Sequence, residues 1–305
     1  MNDMSRLCEG RVAIVTGAGR GVGREYALML ADQGARVVVN DLGTAPAGTG
    51  VDASPAQQVV EEIRRRGGEA IANGNDVSSW AGAKALVEQA VDTFGRLDVL
   101  INNAGILRDR MLAAMDEDEW DSVIKVHLKG TAAPTRHATA YWRARKKAGE
   151  SNDARVINTT SHSGLFGNVG QCNYGAAKAG IAMFTVILAK EMAGAGYGVT
   201  ANAVAPRATT RLTEGVRDYT EDELIHRNPR WIAPLVTWLA SPESRDVTGR
   251  VFEAWGYGYS VIEGWQHGPT MPAAETPVGL GPRVLEMIGA ARPNAGIDRG
   301  TVTNP

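Results

Sequence analysis

A chain of 305 residues, 44% hydrophobic and 22% charged, can bury one large core, and its single set of α/β signals favours one domain with a tail. A formal net charge of −2 leaves no basic footprint, which argues against nucleic acid or an anionic membrane surface as a partner. Cys8 and Cys172, with no metal-ligand cluster, point to reduced thiols and away from a zinc site; no apolar run approaches the roughly 20 residues that cross a bilayer, and the first residues lack a secretion-signal core, so a cytoplasmic protein is expected.

The first element is an apolar run from Val12 to Val15, closed by Thr16 and followed by Gly17-Ala18-Gly19-Arg20-Gly21-Val22-Gly23 at the start of a helix-patterned stretch. Strand, glycine turn and helix in that order predict a dinucleotide site. Gly17 permits the tight turn, Gly21 lets the backbone approach a pyrophosphate, and Gly23 packs the helix against the sheet. The helix start around Val22 would offer unpaired N–H groups to the phosphates. The next β-branched run ends in Asp41, 18 residues beyond Gly23. A carboxylate there accepts hydrogen bonds from ribose hydroxyls and repels a 2′-phosphate, so NAD is the expected cofactor, with Arg20 as an opposing signal toward NADP.

Residues 42–50, rich in Gly, Pro and Thr, read as a loop rimming the adenosine end. A helix with Val59, Val60 and Ile63 on its buried face stops at Gly67-Gly68, a strand over 70–75 leads to Asp76, and a helix with Ala83, Leu86, Val87, Ala90 and Phe94 stops at Gly95. A strand over 99–102, a long helical region over 116–147, a strand over 155–159, a helix over 174–192 and a strand over 199–204 follow. This alternation predicts an α/β fold, a doubly wound parallel sheet of Rossmann type over residues 1–265. Residues 207–231 lie just after a strand end and are a candidate substrate lid, with Trp231, Leu235 and Trp238 nearby as apolar surface. Residues 266–305, Pro- and Gly-rich with a helical piece at 284–291, read as an extension packed on the same domain.

Reaction type is carried by Ser161, Tyr174 and Lys178. Tyr174 and Lys178 are four apart and share a helix face, so their side chains can meet. A phenol, with an ordinary pKa of about 10, is a poor base at neutral pH unless a cation stabilises the phenolate. Lys178 can supply that cation and can also reach a nicotinamide ribose, while Ser161, just beyond a strand, can hold a substrate oxygen.

Residues 10–265 resemble the short-chain dehydrogenase/reductase family through Thr-Gly-x-x-x-Gly-x-Gly at 16–23, Asn-Asp-Val at 75–77, Asn-Asn-Ala-Gly at 102–105, and Ser161 with Tyr174-x-x-x-Lys178. The resemblance implies that Tyr174 is the catalytic acid/base, that Lys178 lowers its pKa and binds ribose, and that Ser161 orients the substrate. It implies that Asp76 and Val77 meet adenine and that Asn102, Ala104, Gly105 and Thr209 lie along the cofactor. Residues 39–43, 61–68, 102–109 and 126–130 resemble, more narrowly, the (3R)-hydroxyacyl-CoA dehydrogenase branch, found within peroxisomal multifunctional enzymes and as stand-alone bacterial proteins. Many members carry a catalytic asparagine where this chain has His127, which either keeps a role in the proton relay or simply fills the helix packing. The usual Pro-Gly after the sixth strand is Pro206-Arg207 here, and His162 and Cys172 read as pocket lining.

The expected activity is NAD-dependent interconversion of a secondary alcohol and a ketone, in a (3R)-hydroxyacyl-CoA or a hydroxysteroid. An NADPH-dependent 3-oxoacyl thioester reductase and a nucleotide-binding scaffold without turnover are the alternatives. The resemblance implies a homodimer or homotetramer built on the helices of 116–147 and 174–192.

Overall fold

The computed structural model describes residues 6–45, 48–50, 52, 54–210, 219–274, 276 and 278–297. Its apolar runs form one eight-stranded sheet in the order β3-β2-β1-β4-β5-β6-β7-β8. Strands β1 (Val12–Thr16), β2 (Arg36–Asn40), β3 (Glu69–Asn73), β4 (Val99–Asn102), β5 (Ala154–Thr159), β6 (Val199–Pro206) and β7 (Val251–Trp255) pair in parallel. Strand β8 (Gly258–Ile262) folds back antiparallel on β7. Neither β7 nor β8 stands out in the sequence as the earlier strands do, because β8 has one face exposed and lacks a continuous apolar run.

Side-chain alternation divides the core into two layers. Ala13, Val15, Val37, Val39 and Ile101 face α1 (Gly21–Asp32), α2 (Ser54–Arg65) and α9 (Ala233–Ala240), where Leu30, Ile63 and Val236 are buried. Val12, Ile14, Val38, Leu100 and Val156 face α3 (Trp80–Phe94), α5 (Gly130–Lys147) and α7 (Cys172–Ala195), where Leu86, Trp142 and Leu188 are buried. Both sheet faces are therefore covered, which is why the central strands read as unbroken apolar runs. Trp231, Leu235 and Trp238 pack against the first of these layers, so they belong largely to the core rather than to a substrate wall. Helix α7 is long and apolar enough, on length and composition, to cross a bilayer, yet it lies along the sheet with Ala177, Ile181 and Leu188 buried.

Strand order reverses between β1 and β4, the neighbours on either side of the fold's switch point, where a crevice opens beyond the carboxyl ends of the strands. The helical region over 116–147 is not one regular helix. Helix α4 (Glu117–Ile124) passes through a π-helical turn at Lys125–Lys129 into α5, and His127 sits in that turn. Of the expected lid, residues 211–218 lie outside the described residues; the rest contains α8 (Glu221–His226) and a 3-10 turn at Pro229–Trp231. The chain divides into two compact units, residues 1–262 and 263–305. The second carries α10 (Leu280–Ala290), and within it Arg283 donates to the Pro272 carbonyl at 3.0 Å.

Candidate active site

A cleft of about 270 Å³ opens beyond β1, β2 and β4, lined by Gly17, Arg20, Gly21, Val22, Asp41 and Ala104 among others. Its floor is the glycine turn. Gly17 and Gly21 have φ of +63° and +55°, where a side chain would be strained, and a Cβ on Gly17 would sit 2.7 Å from the Ala104 Cα. A methyl on Gly23 would overlap the Gly17 carbonyl, so this glycine closes the loop on itself rather than only seating the helix on the sheet. Helix α1 starts with no side-chain cap at Arg20 and no acid in its first turn, leaving the N–H groups that would otherwise be capped. An uncapped helix start behind a glycine cradle fits the pyrophosphate of a dinucleotide.

Asp41 is stapled to that cradle. Its carboxylate accepts from the Gly19 N–H at 2.8 Å and from the Gly43 N–H at 2.7 Å. A Cβ on Gly19 would lie 2.8 Å from the same carboxylate and 2.7 Å from the Pro55 side chain, a requirement the motif did not disclose. Asp76 and Val77 line the cleft together with Asn75 and Ser78; Asp76 accepts from the Ser78 N–H at 2.8 Å and its hydroxyl at 2.6 Å, fixing the turn after β3. Arg20 is exposed at the rim.

Two expected contacts fall one residue away. The Asn102 side chain turns from the cleft into the sheet, donating to Thr135 Oγ1 and Asn158 Oδ1, both at 2.9 Å. Asn103 lines the cleft instead, and its amide donates to the Thr16 and Gly17 carbonyls, each at 3.1 Å, locking the glycine turn to the end of β4. Thr209 is likewise turned away, with its hydroxyl buried, and it is Thr210 that borders the cleft beside Gly21. Ala104 and Gly105 do line the cleft.

Ser161, Tyr174 and Lys178 come together at the ends of β5 and α7. Lys178 is buried and donates from Nζ to the Thr159 carbonyl at 2.6 Å, while Nζ stands 5.6 Å from the centre of the Tyr174 ring. Ser161 caps α6 (His162–Phe166), accepting from the Ser163 N–H at 3.3 Å, and its hydroxyl is hydrogen-bonded to Tyr174. Gly164 makes this approach possible, since a Cβ there would lie 2.6 Å from that of Lys178. Burial pushes the Lys178 ammonium down to about 7, and burial pushes the Tyr174 phenol up while the Ser161 hydrogen bond pulls it back. With both groups desolvated and Nζ 5.6 Å from the ring, a positive charge on the lysine favours the phenolate. Such a pair can hand a proton to or from an oxygen seated beside Ser161.

His127 is buried behind this set. Its Nε2 lies 2.7 Å from the Ile106 carbonyl and 3.1 Å from the Ile106 N–H, and its ring stands edge-on to Tyr174 with centroids 5.1 Å apart. Burial, reinforced by the Lys178 charge, lowers its pKa to about 3, so the imidazole is neutral. A methyl on Gly105 would overlap the ring, which ties the glycine of the 102–105 motif to the histidine. A neutral ring held this way positions the loop after β4 and packs on Tyr174.

His162 and Cys172 do not line the cleft. His162 Nε2 is committed to Glu253 Oε1 at 2.8 Å, and Cys172 is exposed at the start of α7. The Arg207 N–H donates to the Ala254 carbonyl at 2.9 Å, and its guanidinium lies 3.4 Å from Glu253 and over the Trp255 ring.

A doubly wound sheet with a glycine cradle at its switch point and a Ser-Tyr-Lys set beside it defines a dinucleotide-dependent oxidoreductase. Residues 11–224 match the family model described as short chain dehydrogenase, and the chain belongs to the short-chain dehydrogenase/reductase family, which uses a nicotinamide dinucleotide. A crystal structure of a short chain dehydrogenase from Mycobacterium avium is similar, with 51% identity and a TM-score of 0.86, covering 95% of this chain and 98% of that one. The hydroxyacyl-CoA dehydrogenase ChsB1 of Mycobacterium tuberculosis is 45% identical over 81% of this chain and 78% of its own length. The peroxisomal multifunctional enzyme type 2 of Mus musculus is 47% identical over 80% of this chain, which spans only 31% of that protein. The fungal and fly multifunctional relatives are likewise spanned over 26% and 40% of their length.

Proposed function

We propose that this protein oxidises (3R)-hydroxyacyl-CoA thioesters to the 3-oxo compounds with NAD as cofactor, reversibly. The observation that carries the reaction type is the convergence of Ser161, Tyr174 and the buried Lys178, with Tyr174 packed against Ile106 of the cleft lining. The substrate class is supported by the likeness to proteins named hydroxyacyl-CoA dehydrogenase and peroxisomal multifunctional enzyme type 2. The Gly17–Gly23 turn and the α1 N–H groups would hold the pyrophosphate, Asp41 the adenosine ribose, and Lys178 the nicotinamide ribose. A bound nicotinamide supplies the hydride acceptor for oxidation and the donor for reduction. Ser161 holds the substrate oxygen, the Tyr174 phenolate removes the hydroxyl proton, and the Lys178 ammonium stabilises that phenolate from behind, anchored on the Thr159 carbonyl. Neutral His127 keeps Ile106 and the Tyr174 ring in register. A comparison of kcat/KM for 3-hydroxyacyl-CoA thioesters of several chain lengths with that for steroid alcohols tests the substrate class; a preference for the steroids would overturn it.

Cofactor choice follows from Asp41. A 2′-phosphate beside this carboxylate would place like charges together in a partly desolvated cleft, a cost on the order of 1 to 4 kcal/mol. Arg20, exposed on the rim, recovers only part of that. NAD is expected to bind at least roughly tenfold more tightly than NADP, about 1.4 kcal/mol, and Asp41→Ala should narrow the gap. Because Asp41 also anchors the Gly19 and Gly43 amides, Asp41→Asn separates charge from loop position. Dissociation constants equal for the two dinucleotides in the unaltered protein would favour the alternative, an NADPH-dependent 3-oxoacyl thioester reductase.

A homodimer or larger assembly, acting in the cytoplasm, belongs to the same reading. Met183 and Ile187, four apart on α7, are half-exposed on the face away from the sheet, and an apolar outer face on so long a helix calls for a partner surface. Light scattering at micromolar concentration is expected to give at least twice the chain mass of 32.4 kDa; a monomer mass would remove the assembly.

A further inference from the structure

The loop after β4 brings a carboxylate, Asp109, to the start of α7, the helix that carries Tyr174. Three hydrogen bonds tie this loop to the start of α7: the Asn173 amide donates to the Arg108 carbonyl at 2.9 Å, the Arg110 N–H to the Gly170 carbonyl at 2.8 Å, and the Gln171 amide to Asp109 Oδ2 at 2.6 Å. Gln171 is itself fixed, its carbonyl oxygen accepting from the Ser163 hydroxyl at 2.7 Å and from the Asn168 amide at 2.9 Å. Ser163 in turn donates its N–H to the Ser161 hydroxyl. Asp109, Gln171, Ser163 and Ser161 thus form a polar arc that runs from the loop after β4 to the hydroxyl beside Tyr174.

We propose that Asp109 is a positioning residue for the proton transfer, setting the charge balance at the Tyr174 hydroxyl against Lys178, with Gln171 holding its carboxylate in place. The inference rests on the reading of Tyr174 as the acid/base. Among the described residues, the charged or titratable groups around Tyr174 are few. Lys178 lies on its own helix, and His127 packs on the ring in neutral form. From the β4 loop, Arg108 and Arg110 are drawn toward Asp118 and Glu119, at 3.6 and 2.7 Å, leaving Asp109 between them as the charge that acts on the phenol. His162 is turned to Glu253, and Cys172 is exposed. The Asp109 charge raises the Tyr174 pKa, adding to burial and opposing the Ser161 hydrogen bond. Burial also raises that of Asp109, less the pull of Gln171, but at the alkaline pH where a phenol titrates the carboxylate is ionised. Lys178 and Asp109 therefore push in opposite directions: the lysine favours the phenolate needed for oxidation, and the aspartate favours the phenol needed to protonate a ketone oxygen in the reverse direction.

The test is Asp109→Asn, which keeps an acceptor for Gln171 and removes the charge. Phenolate absorbance is followed against pH in the wild-type and Asp109→Asn proteins, each corrected by the same protein carrying Tyr174→Phe. The Tyr174 midpoint is expected to fall by about 0.5 pH unit, a roughly threefold gain in phenolate, because solvent at the half-exposed carboxylate screens its field and keeps the effect small. The difference should shrink in about 1 M salt, as a charge effect does and a packing change does not. An unmoved or raised midpoint, or a shift insensitive to salt, overturns the proposal. If the midpoint falls while the acid limb of kcat/KM stays put, the electrostatic role stands and Tyr174 is not the acid/base.

Discussion

Tyr174→Phe is expected to lower kcat by roughly 10²- to 10⁴-fold while the protein still binds its dinucleotide. The ring packs edge-on against His127 and lies near Lys178, contacts a phenylalanine keeps, whereas the hydroxyl bonded to Ser161 is the group that exchanges the proton. The loss should fall on kcat and on kcat/KM alike, the pattern of an interaction made in the transition state. Cofactor titration by fluorescence and steady-state kinetics on the same preparation check both halves. Near-normal kcat in the variant would remove the acid/base assignment.

Lys178→Ala should damage both turnover and binding, with kcat down roughly 10²-fold or more and dinucleotide affinity weakened about tenfold. Its ammonium is the buried cation against the phenol, held by the Thr159 carbonyl, and in the proposed function it also binds the nicotinamide ribose. Without it the phenolate loses its counter-charge, so the acid limb of the oxidation profile should move to higher pH. Stability carries a separate signature. Burial lowers the Lys178 pKa from 10.5 to about 7, so between these values the unfolded chain binds more protons and stability rises with pH through the window. The alanine variant should lack this contribution, which melting temperatures measured across pH 7 to 10 would reveal; an unchanged slope would mean that the lysine is not desolvated in solution.

Much of this was legible in the sequence because the signals are local. The glycine turn, the acid at the end of β2 and the Tyr-x-x-x-Lys spacing each occupy a single turn or helix face, and the central strands announce themselves as apolar runs because both of their faces are covered. What was missed depends on parity and on distance along the chain. Asn102 and Asn103, at the end of β4, turn to opposite sides, so a motif that names both does not say which one faces the cleft; Thr209 and Thr210 repeat the lesson after β6. The partner of His162 lies 91 residues away on β7, and that of His127 lies 21 residues back on the loop after β4. Neither spacing leaves a mark in a single sequence. The π-helical turn that swings His127 inward is also unreadable from a pattern of apolar residues, yet such turns gather at functional sites.

The most direct test is the appearance of reduced nicotinamide when the purified protein is given NAD and matched pairs of (3R)- and (3S)-hydroxyacyl-CoA thioesters. Steady turnover of the (3R) series with NAD, lost in Tyr174→Phe, is the predicted result. No hydride transfer from either series to NAD or NADP, or a preference for the (3S) series, would contradict it.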